Sequence, residues 1–175
     1  MKSILVPVDF SNCSENALKA AVQIAEKTGA IIELVHIYDR PVYGFVDLNV
    51  DHKKHKKLQQ EIKQSIDSLI ARFKDYEIKL NSTVLNDVSL TEVLDDSRFK
   101  DVDMVVMGSH GSTGLKELFI GSNTEKVVRR ANCPVLCLKE DNDNFDLKRV
   151  VLASNFYKEM ELIFPQIHTF LKLFG

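Results

Sequence analysis

The chain has 175 residues, of which 45% are hydrophobic and 27% are charged, and its formal net charge is −2. This composition is typical of one globular domain, and the slight negative charge argues against nucleic acid as a partner. The apolar run at residues 4–8 is too short for a signal peptide, and no run approaches the roughly 20 apolar residues of a membrane span, so we expect a cytoplasmic protein that does not enter a membrane.

Strand-like and helix-like segments alternate along the chain. Residues 4–8 are an apolar run typical of a buried parallel strand. Ser11 or Asn12 can cap the helix that follows, and Gly29 is a stop signal for that helix. The later segments are predicted in the same way, as strands at residues 30–38, 77–85, 104–107 and 135–138 and helices at residues 51–73, 90–99 and 123–130. Strict alternation predicts right-handed crossovers and a parallel sheet with helices on both faces.

The three cysteines, Cys13, Cys133 and Cys137, are odd in number and lack a Cys-x-x-Cys spacing. A disulfide framework or a structural zinc site is therefore not expected. Cys133 and Cys137 are four residues apart around a predicted strand, which places them on one face. We expect buried, reduced thiols and no metal site.

Glycines cluster after the predicted fourth strand. Glycine lets backbone amides approach a ligand closely, and the N-terminus of the next helix attracts anions, so this segment predicts a phosphate site. Ser122 and Glu125 have the spacing of a capping box at the start of that helix. The alternative is that the glycines only form a tight turn. Four of the seven glycines stand here: Gly108, Gly111, Gly114 and Gly121.

The C-terminal segment repeats the start of the chain at an offset of 146 residues. Residues 148–156 align with residues 2–10, and Gly29 aligns with Gly175. This predicts a division into a first domain at residues 1–140, a linker at 141–147, and the start of a second, truncated repeat at 148–175. The alternative is a last strand and helix of one domain.

A lone strand and helix cannot bury an apolar face. We therefore expect residues 148–175 to pack on the first domain or on another chain. The apolar helix positions concerned are Ile163, Phe164, Ile167, Phe170 and Leu171.

Three motifs together resemble the nucleotide-binding branch of the universal stress protein family. Its pattern, Gly-x2-Gly-x9-Gly-Ser/Thr, is filled by Gly108, Gly111, Gly121 and Ser122, and residues 4–11 and 132–136 are similar to its first and last strands. The resemblance covers residues 2–140, and the tail makes the chain look like a tandem member of the family.

The resemblance implies a five-stranded parallel sheet in the order 3-2-1-4-5, with ATP bound between strands one and four. This place agrees with the general rule that open α/β sheets bind ligands where the strand order reverses. It also implies a homodimer through strand five, from Pro134 to Lys139, or a pairing of this strand with a second repeat. Asn86 and Asp87 stand where the family usually has a glycine; Asn86 tolerates left-handed geometry, and Asp87 would repel phosphate.

Roles for single residues come from the same resemblance. Asp9 also has a rationale of its own, since a carboxylate accepts hydrogen bonds from an adenine amine or a ribose hydroxyl; the alternative is a cap after strand one. His110 is expected as a peripheral contact. The implied set is Pro7, Val8 and Asp9 at the adenine with Ile37 beside it, Met107 and Gly108 at the ribose, and Gly111, Gly121, Ser122 and Asn123 at the phosphates.

The sequence contains no set of nucleophile, base and orienting residue, and no P-loop lysine follows the glycines. We therefore expect no catalytic residues, and an adenine-nucleotide-binding stress-response or signalling protein with little or no hydrolysis. The expected ligand is ATP, with AMP and ADP as alternatives and Mg²⁺ as a candidate companion. Two other functions stay open: a nucleotide-free dimerising scaffold, and a weak ATPase or adenylyl-transfer enzyme.

Overall fold

The computed structural model describes residues 1–40, 48–109, 121–139, 150, 151, 153, 158 and 160–172. The strands are β1 (Ser3–Pro7), β2 (Ile31–Tyr38), β3 (Lys79–Asn86), β4 (Met104–Gly108) and β5 (Val135–Leu138). The helices are α1 (Asn12–Thr28), α2 (Leu48–Ala71), α3 (Leu90–Asp95), α4 (Ser122–Arg130) and α5 (Met160–Leu171). Within the described residues, none of these helices is long and apolar enough to cross a membrane.

The five strands form one sheet in the order β3-β2-β1-β4-β5, as predicted. Every neighbouring pair is parallel, with Val6 opposite Leu34 and Val105 opposite Val135. The chain winds in one direction from β1 to β3 and in the other from β4 to β5. The order therefore reverses between β1 and β4, in the middle of the sheet.

Alternate residues of the central strands face two separate apolar cores. Ile4 and Val6 belong to the core that the sheet forms with α1 and α2, whereas Leu5 belongs to the core on the face of α3 and α4. All three side chains are fully buried. Burial on both faces explains why β1 is a continuous apolar run rather than an alternating one.

Helix α1 begins and ends at predicted residues. The N-cap is Ser11, not Asn12, and its hydroxyl accepts a hydrogen bond from the Ser14 amide at 3.2 Å. Gly29 ends the helix in the left-handed conformation, with φ at 70°, and its N–H donates to the Ala25 carbonyl at 2.7 Å. Glycine is favoured there because a Cβ disfavours this backbone.

The predicted end of α3 is wrong. We expected the helix to cover residues 90–99, but it ends at Asp95. Asp96 has an extended backbone, its carboxylate accepts a hydrogen bond from the Arg98 amide at 2.9 Å, and it pairs with the Arg98 guanidinium at 2.7 Å. Such local side-chain bonds compete with helical ones, and here they end the helix.

The predicted capping box at Ser122 is also wrong. The N-cap of α4 is Gly121, which makes no side-chain cap. The capping box is at the start of α3, where the Ser89 hydroxyl accepts from the Glu92 amide and the Glu92 carboxylate accepts from the Ser89 amide at 2.7 Å. Hydrogen bonds from Ser89 also lower the pKa of Glu92.

The described part of the tail is mainly the helix α5. Val150, Val151 and Ala153 lie outside regular secondary structure, so the predicted strand is not present at these positions. Phe170 packs against the core formed with α1, whereas Ile163 is 45% exposed. A cavity of about 500 Å³ separates α5 from residues 131–136. The helix therefore touches the first domain, and the division into domains stays a prediction.

Candidate functional site

A cavity of about 380 Å³ opens at the carboxyl ends of β1 and β4. The strand order reverses there, so the two connections diverge and leave a crevice. Its volume is within the range of small-molecule sites. The lining residues are Pro7, Val8, Asp9, Ser14, Val35, Ile37, Asp39, Val88, Ser89, Leu90, Met107, Gly108, Gly121, Ser122, Asn123 and Thr124.

The structure brings nine of the eleven predicted site residues together in this lining. They are Pro7, Val8, Asp9, Ile37, Met107, Gly108, Gly121, Ser122 and Asn123. The other two, His110 and Gly111, lie outside the described residues. Contact of any of the eleven with a ligand stays a prediction.

Seven lining residues were not predicted, and some of them had a signal in the sequence. Ser89 begins a capping box in the short connection after β3, so it lies at the same edge of the sheet as the ends of β1 and β4. Asp39 directly follows β2 at that edge. Thr124 had no such signal, because its place depends on how α4 is oriented against β4.

Asp9 is held by the start of α1. Its Oδ1 accepts hydrogen bonds from the Ser11 amide at 3.1 Å and the Ser11 hydroxyl at 2.5 Å. Its own N–H donates to the Ser14 hydroxyl at 3.3 Å. These contacts agree with the alternative that Asp9 caps the turn after β1. Because Asp9 also lines the cavity, the same bonds fix the position of a carboxylate beside a ligand.

Gly108 lines the cavity, and packing requires a glycine at this position. A Cβ at this position would lie 2.9 Å from the Sγ of Cys13, 3.0 Å from its carbonyl carbon and 3.1 Å from its carbonyl oxygen. Cys13 is 1% exposed, and its thiol donates to the Leu138 carbonyl at 3.1 Å. The missing Cβ therefore lets the start of α1 pack on the end of β4.

The N-terminus of α4 faces the cavity. The Gly121 N–H donates to the Ser109 carbonyl at 2.8 Å, and the Thr124 hydroxyl donates to the Gly108 carbonyl at 3.1 Å, so the helix is fixed to the end of β4. The first amides of a helix have no partner within it, and Gly121 offers them no side chain. This geometry suits an anion.

The backbone of Ile37 borders the cavity at the end of β2. The Val8 N–H donates to the Val35 carbonyl at 2.9 Å, so Val35 faces β1. The Asp87 N–H donates to the Tyr38 carbonyl at 3.1 Å, so Tyr38 faces β3. Alternate residues of a parallel strand bond to opposite neighbours. The N–H and C=O of Ile37 therefore face the side of β1, beyond the end of that strand.

The turn after β3 keeps the expected left-handed backbone, but at Asp87 (φ 54°) instead of Asn86. Hydrogen bonds from the amide and guanidinium of Arg40, together with one from the Asn86 side chain, lower the pKa of Asp87 to about 2. Asp87 is not among the cavity-lining residues, and Arg40 neutralises its charge. The expected repulsion of phosphate by Asp87 has no basis in this geometry.

An open parallel sheet with a cavity where its order reverses defines a Rossmann-like α/β domain. Residues 1–139 match the model of the universal stress protein family, and the chain belongs to this family. It is 30% identical over 156 residues to universal stress protein MJ0577 of Methanocaldococcus jannaschii, covering 81% of this chain and 96% of that protein. The solved structure of MJ0577 has a TM-score of 0.67 at 29% identity, covering 81% of this chain and 98% of that one.

Two more distant solved structures share the fold. One is a universal stress protein in complex with cAMP, which is 20% identical with a TM-score of 0.55 and covers 78% of this chain and 95% of its own. The other is the universal stress protein of Archaeoglobus fulgidus in complex with dAMP, which is 22% identical with a TM-score of 0.56 and covers 79% of this chain and 98% of its own.

Proposed function

We propose that this universal stress protein binds an adenine nucleotide in the cavity between β1 and β4 and acts as a stress-response or signalling module. The observation that carries the proposal is that the ends of β1, β2 and β4 converge there on the uncapped N-terminus of α4. The complexes of two proteins of this fold with cAMP and dAMP supply the ligand class. We assign this chain to the ATP-binding branch of the family.

The apolar part of the lining suits a purine base. Val35, Ile37, Val88 and Leu90 line the cavity and pack together on the face of α3. The N–H and C=O of Ile37, which face the side of β1, can pair with a ring nitrogen and the exocyclic amine of adenine. Asp9 can accept from a ribose hydroxyl or from the same amine.

The polar part of the lining suits phosphate. Gly121, Ser122 and Asn123 place the first amides of α4 at the cavity. Among the described lining residues, the charged side chains are the carboxylates Asp9 and Asp39, and none is lysine or arginine. The negative charge of the phosphates therefore has no cationic side chain to offset it in the described part of the lining. We propose that ATP binds together with Mg²⁺, which supplies the positive charge. AMP and ADP are the alternative ligands.

Hydrolysis is expected to be slow or absent. The described lining contains no histidine, cysteine or lysine that could act as base or nucleophile. A site that binds ATP and the transition state of its hydrolysis equally well does not accelerate the reaction. We expect turnover far below the enzyme median of about 10 s⁻¹.

The test of binding is titration calorimetry of the full chain with ATP, ADP, AMP and GTP, each with and without Mg²⁺. Gly121→Val should reduce the affinity for ATP at least tenfold, because its side chain adds bulk at the N-terminus of α4. The fold should survive, since φ at Gly121 is −57° and ψ is 146°, which valine adopts readily. Ala131→Val is the matched control, because Ala131 caps the other end of α4 at φ −63° and ψ 136°.

The outcomes separate the three functions. Loss of affinity in Gly121→Val but not in Ala131→Val supports the nucleotide site. Absence of nucleotide binding in the wild-type chain favours the nucleotide-free scaffold. Release of phosphate from ATP at a rate near the enzyme median favours the enzyme.

We further propose that β5 with its flanking residues 134–139 forms a homodimer or pairs with a second repeat, and that residues 148–175 are the start of that repeat. Two features support this: β5 is an edge of the sheet, and Ile163 and Phe164 of α5 are 45% and 53% exposed. Sedimentation of the intact chain and of one ending at residue 140 tests it. Monomers in both cases would contradict it.

A further inference from the structure

His36 is a buried polar side chain that does not line the cavity but contacts Val8, which does. It lies in β2, is 8% exposed, and its Nδ1 is 2.8 Å from the carbonyl oxygen of Val8. A carbonyl oxygen only accepts hydrogen bonds, so the Nδ1 of His36 carries the proton and donates it. The ring is therefore a fixed donor to the end of β1.

The carbonyl of Val8 is the group at which the ladder between β1 and β2 would continue. The Val8 N–H donates to the Val35 carbonyl at 2.9 Å. In a parallel ladder the next bond would run from the N–H of Ile37 to the carbonyl of Val8. Here the side chain of His36 donates to that carbonyl, and the paired register ends with Pro7 opposite Val35.

Phe10 fixes the imidazole in this position. Its ring centroid is 4.7 Å from that of His36. Its backbone has φ at 61°, which is rare for a bulky residue and persists only where the surroundings impose it. Because Phe10 directly follows Asp9, the chain that forms the rim of the cavity folds back over the histidine ring.

We propose that His36 is a positioning residue for the nucleotide site. By donating to the Val8 carbonyl, it keeps the Ile37 N–H out of the ladder and free for the adenine ring. Without this donor, the Val8 carbonyl takes the Ile37 N–H, the ladder gains one bond, and the ligand loses a donor. The identity of the ligand rests on the proposed function, whereas the competition between the two donors is a property of the free protein.

Three variants of the full chain separate this role from a merely structural one. His36→Phe keeps an aromatic ring beside Phe10 and removes the donor. His36→Asn keeps an N–H donor at the δ position, where it can still reach the Val8 carbonyl. Leu34→Val, on the same strand, removes buried volume from the core that also contains Val8 but keeps both the His36 donor and the Val8 acceptor, and is the control for lost stability.

The two measurements are the hydrogen exchange of the Ile37 amide by NMR and the affinity for ATP by calorimetry. In the free wild-type chain, in His36→Asn and in Leu34→Val, the Ile37 amide should exchange quickly and become protected when ATP is added. In free His36→Phe it should be protected at least tenfold more, and the affinity for ATP should fall at least tenfold.

Equal exchange of the Ile37 amide in the wild-type chain and His36→Phe would overturn the inference, as would failure of His36→Asn to behave like the wild type. Should His36→Phe not fold, His36→Leu replaces it with the same expectation. If the wild-type chain binds no adenine nucleotide, the proposed function fails, and the exchange comparison alone decides the role of His36.

Discussion

Replacing Gly108 by alanine tests the contact between α1 and β4. A Cβ would meet the Sγ, carbonyl carbon and carbonyl oxygen of Cys13 at 2.9, 3.0 and 3.1 Å. Two of these atoms are backbone in the first turn of α1, so they cannot rotate away. The helix must shift, and Cys13 is 1% exposed in an interior with little free volume.

The sign of the effect separates two physical accounts. In an open strand position, Gly→Ala stabilises a protein by about 0.4–1 kcal/mol, because alanine has less freedom in the unfolded chain. Overpacking of a close contact costs about 1–3 kcal/mol. At Gly108 we expect the second effect to dominate, with a net loss of roughly 1–2 kcal/mol of unfolding free energy and a melting temperature lowered by about 2–8 °C.

The assay is urea unfolding of the wild type, Gly108→Ala, Cys13→Ala and the double variant. Cys13→Ala removes the Sγ contact but leaves both backbone contacts, so the double variant should recover only part of the cost of Gly108→Ala. The coupling energy should be about 0.5 kcal/mol or more. An unchanged or raised stability of Gly108→Ala would refute the packing argument.

Three further predictions concern acid stability, a helix end and the thiols. The pKa of Asp87 is lowered from 3.8 to about 2 in the folded chain. The ionised carboxylate therefore stabilises the folded chain above pH 3.8, and this stabilisation is lost as the pH falls through about 2. Asp87→Asn should therefore be less stable than wild type at neutral pH, and the difference in urea unfolding should shrink below pH 3.8 and disappear only as the pH falls through about 2. Gly29 has φ at 70° with no atom within 4 Å of a Cβ, so Gly29→Val should lower the unfolding free energy by about 1–2 kcal/mol and Gly29→Asn by less. Of the three thiols expected to be buried, only Cys13 is; Cys133 and Cys137 are half-buried. Their partial burial still raises the pKa of both thiols, so iodoacetamide should alkylate them at neutral pH more slowly than it alkylates glutathione, and equal rates would contradict this protection.

Much of the fold could be predicted because its signals are local and repeated. The apolar runs of the strands and the cap residues Ser11 and Gly29 gave element positions within a few residues of the observed ones. The order of the strands came from the family resemblance and is confirmed. The end of α3 could not be predicted from periodicity, since it depends on the pairing of Asp96 with Arg98.

The cavity was predicted less completely than the sheet. Residues directly after β1 and β4 could be named, because the carboxyl ends of parallel strands share one edge. Ser14 and Thr124 line the same cavity, but only the packing of α1 and α4 against the sheet brings them there. Position in the chain carries no information about such packing.

The glycine motif combines two different physical requirements. Gly108 lacks a Cβ because Cys13 of α1 occupies that space, which concerns the stability of the fold. Gly121 is the N-cap of α4, and its φ and ψ are values that any residue can adopt. The backbone conformation therefore does not require a glycine there. What it leaves open is the N-terminus of α4 beside the cavity. A match to the whole motif therefore indicates both the fold and the site. A glycine at position 108 is needed by any chain with this packing of α1 on β4. A glycine at position 121 is expected only in a chain that also keeps the site.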